Sequence, residues 1–316
     1  MAYIFVLLAV IGFALQFTLT KAYQARTVTL STSGKALLER SFYFAMTRSF
    51  AVAAIFFVAR GFYVEITAFS VGVALGIMVL SLLSTVIGMM VLSRGKMSIY
   101  TLFLMLGGMM LPFFVGVIIW DEPLTWLRVL GLGLLTLSLF APLFEAKDEG
   151  KKGGRLFFFL CLCMFFINGM FSILSNFHQI TPGHVDAISF TILTSMFTGI
   201  GSGLLWVIVK VYARVNGETV ESEVTDTPRS KPENRRYTLV NLLIILALAL
   251  VSGAAFSLQL NSASELDASV LFPMITGGTI FFAAVAGFIF FKEKPKRYSA
   301  AGIIIAILAT FLFFIG

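Results

Sequence analysis

Charge is scarce in this sequence: Lys, Arg, Asp and Glu make up 12% of its 316 residues, whereas 59% are hydrophobic. That leaves too little polar surface to cover a water-soluble fold of this length, and a soluble protein is excluded. Cysteine and histidine are nearly missing, with two of each. Cys161 and Cys163 stand two apart in a Phe-rich segment, where helical neighbours at that spacing point to different faces, so they read as small apolar residues rather than a disulfide. His178 and His184 are six apart near a predicted turn, without the spacing or thiolates of a metal site, and read as a solvated loop. No metal and no cofactor is expected. The GxxxxGKS/T, HExxH and GxSxG patterns are also missing, which removes the usual groups for ATP hydrolysis and the commoner hydrolase chemistries, and an enzyme is not expected.

What the sequence has in quantity is charge-free stretches of about 20 residues, each long enough to cross a hydrocarbon layer of roughly 30 Å as a helix. Ten spans are predicted, over about 2–20, 41–59, 68–92, 98–120, 123–144, 156–176, 185–211, 239–260, 268–291 and 298–315. The first has no basic start and reads as a membrane span rather than a cleaved leader. The second is the least regular, because Glu39, Arg40 and Arg48 interrupt it, and without it the count is nine. The net charge of +7 sits in the connections, not on a basic surface, so membrane topology accounts for it and nucleic acid does not. Odd-numbered connections hold nearly all the Lys and Arg; even-numbered ones hold only Arg60 and Arg128. Positive loops stay cytoplasmic, which predicts a multi-pass protein of the plasma membrane with both termini outside.

The chain also repeats itself. Ser98, Gly107, Gly116, Glu122 and Gly131 recur 171 residues later as Ser269, Gly278, Gly287, Glu293 and Gly302, and the same offset pairs Ser93 with Ser264 and Ser81 with Ser252. Five spans per copy send the second copy into the membrane from the opposite side. The expected fold is therefore an all-α integral membrane protein of ten transmembrane helices in two inverted five-helix repeats, 1–150 and 151–316. Residues 145–155, with Lys-Lys-Gly-Gly, read as the linker, and 216–236 as a long polar cytoplasmic loop with too few apolar residues to bury anything.

A small-residue-rich fourth span ends in Trp120-Asp121-Glu122-Pro123, with Gly131 in the fifth; a ninth ends in Phe291-Lys292-Glu293-Lys294-Pro295, with Gly302 in the tenth. This pattern resembles the ten-helix, EamA-type branch of the drug/metabolite transporter superfamily. The resemblance covers most of the chain through hydropathy and repeat, and about one third of it through sharp identity. It implies a transporter of small organic molecules, such as amino acids, metabolites or drugs, with a central cavity between the halves and a lean towards export. Two departures stand out. The first span carries no acidic residue, unlike the proton-handling glutamate of four-helix multidrug relatives, and Pro112 has Ala283 as its counterpart while Pro273 falls earlier in the ninth span.

Candidate binding residues are the polar groups inside spans, since burying them is costly unless they find a partner or line a cavity. Asn168, Ser172, Ser175 and Gln179 share one face of the sixth span, as a cavity wall or a polar helix contact. Ser81, Ser84, Thr85 and Gly88 form a stripe on the third, and Ser252 and Gln259 one on the eighth. Gln16 and Thr20 add a face on the first span. Thr191, Thr194, Thr198 and Ser202 align on the seventh, where such hydroxyls often bond the preceding turn of their own helix. Arg48, the strong charge inside a span, either meets an anion or snorkels to the cytoplasmic interface. Glu122 and Glu293, each beside a proline that opens the next helix, read first as helix-end or turn-shaping groups. The repeated Gly107, Gly116, Gly131, Gly278, Gly287 and Gly302 read as structural, letting helices approach.

Two function classes stay open on sequence. One is a secondary transporter working by alternating access on a small-molecule substrate; the other is a non-transporting membrane protein, a lipid-substrate enzyme or a scaffold. Partners compatible with the pattern are that substrate, the lipid bilayer and a second copy in a homodimer.

Overall fold

Hydrocarbon cannot hydrogen-bond a peptide group, so a charge-free segment satisfies its backbone there as helix. The computed structural model describes residues 1–27, 34–92, 94, 97–144, 154–215, 234–292 and 297–316. Among these are ten α-helices: α1 (Ala2–Thr27), α2 (Gly34–Ala59), α3 (Ala68–Leu92), α4 (Met97–Ile119), α5 (Trp126–Phe140), α6 (Arg155–Ile180), α7 (Ala187–Val215), α8 (Asn234–Ala263), α9 (Ala268–Phe291) and α10 (Arg297–Ile315). No strand occurs among the described residues. The protein is an all-α, multi-pass membrane protein. Glu293, residues 145–153 of the expected linker and 216–233 of the polar loop lie outside the described residues.

Nine of the described helices are long and apolar enough to cross a bilayer, and α2 is one of them. The short one is α5, with 15 helical residues followed by a 3-10 turn over Ala141–Phe144. The sequence reading placed the weak span second; it is the fifth. Pro123 keeps the chain extended after α4, and Thr125 caps α5 by accepting the Arg128 N–H on its hydroxyl at 3.3 Å, so helix starts only at Trp126. Elsewhere helices overrun their apolar stretches, α1 and α2 most clearly, which puts Arg48 near the middle of α2 rather than at its start.

The packing comes in matched couples. Gly107 of α4 lies against the Phe165 carbonyl of α6, and Gly278 of α9 lies against Val10 of α1, where an added Cβ would sit 2.8 Å from Cγ1. A methyl at either glycine would force the helices apart, so glycine here sets helix separation. Three of the antiparallel pairs join helices five apart in the order of the chain. Phe50 and Met46 of α2 meet Gly199 and Gly203 of α7, and Tyr43 tilts on Trp206 with centroids 5.7 Å apart. In α5 and α10, Gly131 meets Phe313 while Ala141 meets Gly302. The end of α4 meets the start of α9 through Glu122. Both α4 and α9 close on a left-handed residue, Asp121 (φ 53°) and Lys292 (φ 55°), 171 positions apart. The Lys292 N–H then reaches the Gly287 carbonyl and the Glu122 N–H the Gly116 carbonyl.

Outward faces are apolar: Leu7, Val79, Ile118, Leu137, Leu243 and Phe311 are all exposed. The largest core cluster joins α1, α4, α5, α9 and α10 around Met109, Leu135, Leu271 and Ala306. A second joins α3, α7 and α8 around Ile77, Phe190 and Leu260. Gly107→Val should destabilise the detergent-solubilised protein by about 1–3 kcal/mol through overpacking against Phe165, read as a lowered melting temperature. Gly133→Ala, with nothing within 4 Å of the new methyl, should leave it unchanged.

Candidate functional site: a polar cavity inside the helix bundle

A cavity of about 350 Å³ lies among α1, α2, α3, α4, α6, α7, α8 and α9. That volume is at the small end of the range for ligand sites. Its lining follows one spacing in pairs of helices. Phe13, Gln16 and Phe17 of α1 are matched by Asn168, Phe171 and Ser172 of α6, each 155 positions later. Arg48, Ser49 and Val52 of α2 are matched by Thr194, Ser195 and Thr198 of α7, each 146 later. Leu104, Met105 and Gly108 of α4 are matched by Ile275, Thr276 and Thr279 of α9, each 171 later. Ser81 and Ser252, also 171 apart, line it from α3 and α8, with Gln259 on the same face of α8 about two turns further along.

Of the predicted binding residues, the structure brings Gln16, Arg48, Ser81, Asn168, Ser172, Ser252 and Gln259 to this cavity. It does not bring Ser84 or Ser175. Ser175 is buried and donates its hydroxyl to the Phe171 carbonyl at 2.8 Å, so the sixth-span stripe divides between cavity and helix packing. Gln179, at the end of that stripe, is buried against His178, with its amide 3.1 Å from Nδ1. Thr20 bonds the Gln16 carbonyl and stays out. The seventh-span hydroxyls do more than the self-bonding expected of them: Thr191 and Thr194 bond their own helix at 2.8 Å, and with Thr198 they also face the cavity. Ser202 is buried away from it. Thr276 and Thr279 were missed. Their signal is positional, since they stand 171 positions after Met105 and Gly108, but the residue type changes between the two positions, unlike the Ser, Gly and Glu pairs at the same offset.

The hydrogen bonds inside the cavity are unevenly spent. Asn168 donates its amide to the Leu104 carbonyl at 2.8 Å, which leaves its carbonyl oxygen free to accept. Ser172 and Ser252 donate to carbonyls of their own helices, leaving lone pairs. Thr279 is 5% exposed and its hydroxyl has no partner among the described residues. Gln16, Gln259 and Arg48 have none there either. Among the described residues Arg48 is the one charged lining residue, and no Asp or Glu lines the cavity.

The two cations of the even-numbered connections are, by contrast, paired across the chain. Arg60 Nη2 is 2.7 Å from Asp186, whose other oxygen accepts the N–H groups of Ile188 and Ser189 and so caps α7. Arg128 Nη1 is 2.9 Å from Asp267 and 3.0 Å from the Ser269 hydroxyl. Asp267 stands at the N-cap of α9 but makes no cap bond, because Glu122 does so instead, accepting the Ala268 and Ser269 N–H groups at 2.7 and 2.8 Å. Glu122 is thus a helix-end group, as expected, but for α9 rather than for the helix that follows it. Gly116 is a glycine because the Glu122 carboxylate occupies the space of its side chain.

His178 is a correction. The sequence placed it in a solvated loop, yet it is fully buried near the end of α6, stacked on Phe190 with centroids 3.5 Å apart and bonded to the Ser70 hydroxyl at 2.8 Å. Two aromatic faces and two polar partners outweigh its hydration. His184 is exposed as expected. Among the described residues no cluster of three His, Cys, Asp or Glu could hold a metal ion. Both cysteines are free thiols.

No family model and no curated protein matches the chain. Chains of solved structures do match, 28 of them. One, described as "Crystal structure of protein", is 14% identical over 98% of this chain and 95% of its own, with a TM-score of 0.64. At that identity the likeness is one of fold, and it spans nearly the whole of both chains.

Removing Glu122 uncovers two N–H groups at the α9 start. Glu122→Ala should therefore cost about 1–3 kcal/mol of stability in a thermal melt. Glu65→Gln should change it little, since Glu65 is half exposed and 3.5 Å from Arg60.

Proposed function

We propose that the chain is a secondary transporter of a small organic molecule, a ten-helix, EamA-type member of the drug/metabolite transporter superfamily, with two inverted repeats and both termini outside the plasma membrane. The observation that carries this reading is the cavity lining. Residues at fixed offsets in the two halves face one another across a single central space, which is the arrangement expected where two inverted copies meet about an axis in the membrane plane. The antiparallel couples α2–α7, α4–α9 and α5–α10 support the same axis, because each joins a helix to its own counterpart. So do the paired contacts Gly107–Phe165 and Gly278–Val10, which are one contact in two copies.

Polar side chains without partners among the described residues in a small mid-bundle space are poor glue for a scaffold and suit a passing ligand. Rocking of the halves about that axis would expose the cavity to one side and then the other, with the Arg60–Asp186 and Arg128–Asp267 pairs and the Glu122 cap as contacts at the helix ends that hold it shut. The chain carries no phosphate-binding loop, so a gradient drives the cycle.

Reconstituted protein should show counterflow with at least one member of a panel of carboxylates, amino acids, sugars and organic cations; no counterflow with any of them sinks the reading. Gln259→Leu and Thr279→Val should each lower uptake about tenfold, the worth of one hydrogen bond to cargo. Neither side chain has a protein partner among the described residues, so melting of the cargo-free protein should be unchanged.

A further inference from the structure

The frame of the cavity is matched in the two halves, but its chemistry is not. Where α2 places Arg48, α7 places Thr194; where α1 places Gln16, α6 places Phe171. Among the described residues all the fixed charge of the lining therefore comes from one residue. A guanidinium inside a hydrocarbon-facing bundle is costly unless an anion meets it, and Arg48 meets none among the described residues. Among the described residues no carboxylate lines the cavity to receive a cation.

We infer that the cargo is a small organic monoanion, a hydroxyl-bearing carboxylate with an apolar or aromatic body, whose carboxylate pairs with Arg48. This deepens the transport reading and rests on it. Charge balance selects the class: one negative charge against Arg48 leaves the loaded cavity neutral. An amino acid leaves its ammonium without a counter-charge, a phosphate monoester adds up to one negative charge too many, and an organic amine stands beside a like charge. The hydroxyl follows from the unspent acceptors, the Asn168 carbonyl oxygen and the lone pairs of Ser172 and Ser252, which need a donor from the cargo. The apolar body follows from Phe13, Phe17, Phe256 and Phe272 in the same wall, and the cavity volume limits its size.

Four compounds that share a phenyl ring separate these terms: 3-phenyllactate, phenylalanine, 2-phenylethylamine and phenyl phosphate. Phenyllactate and phenylalanine differ only in a hydroxyl for an ammonium. Thermal shift of the detergent-purified full chain reports binding, and counterflow in liposomes reports transport. Phenyllactate is expected to raise the melting temperature and to exchange, with the other three at least about tenfold weaker. Arg48→Gln is expected to weaken phenyllactate at least about 30-fold, and Arg48→Lys less. Since Arg48 has no protein partner among the described residues, Arg48→Gln should melt no lower than the parent without ligand, which keeps a loss of binding distinct from a loss of fold. The inference is overturned if phenylalanine, the amine or the phosphate binds as well as phenyllactate, if none of the four binds, or if Arg48→Gln binds phenyllactate unchanged. Phenyllactate binding without counterflow keeps the anion site and removes the transport reading. Counterflow of the amine without phenyllactate does the reverse.

Discussion

Hydrocarbon offers no hydrogen bonds, so a polar side chain on these apolar helices is costly unless it finds a protein partner or a wall of the cavity, and much of the architecture can be followed from which of the two it finds. Ser70 and His178 find each other; Thr191 finds Ser257 at 2.8 Å as well as its own helix. Arg60 and Arg128, near helix ends, find aspartates. Arg48, near the middle of α2, finds the cavity. A bundle that neutralises two arginines at its ends and leaves a third, at its centre, without a partner among the described residues concentrates its electrostatic demand in one place, where a ligand can answer it.

Glycine supplies the geometry that makes such a centre. At Gly107 and Gly278 the helices approach until a neighbour fills the space of a side chain, which draws α4 onto α6 and α9 onto α1. At Gly116 the missing side chain admits the Glu122 carboxylate, which ties the end of α4 to the start of α9. The same separations, used twice, give a cavity whose wall positions recur at fixed offsets in the sequence. Substitution within that fixed frame is enough to make the contents unequal: Phe13 stands opposite Asn168 in the correspondence, and Arg48 opposite Thr194.

Helix number and the apolar character of the fold were legible in the hydropathy, because helix is the one local solution a charge-free segment has in a membrane. Seven of the nine candidate binding residues reached the cavity, since a polar stripe at helical spacing fixes a face. It does not fix how far along that face the cavity extends, which is why Ser175 and Ser84 fell outside. The shortness of α5 depended on where Pro123 and Thr125 let the helix begin, a turn effect that hydropathy blurs. Glu122 was legible as a helix-end group, but its partner was not, because a carboxylate beside one helix start gives no sign that a more distant start, at Ala268, lies within its reach. His178 failed for a related reason: burial by Phe69 and Phe190 comes from two other helices and leaves no local mark in the sequence.

The central claim is that one cavity between matched halves serves both sides of the membrane. A single cysteine placed at Ser195, after replacement of Cys161 and Cys163, tests it through labelling by a membrane-impermeant thiol reagent added to one side at a time. The account predicts modification from either side, with cargo changing the ratio of the two rates. Modification from one side only, whatever cargo or gradient is applied, would contradict it.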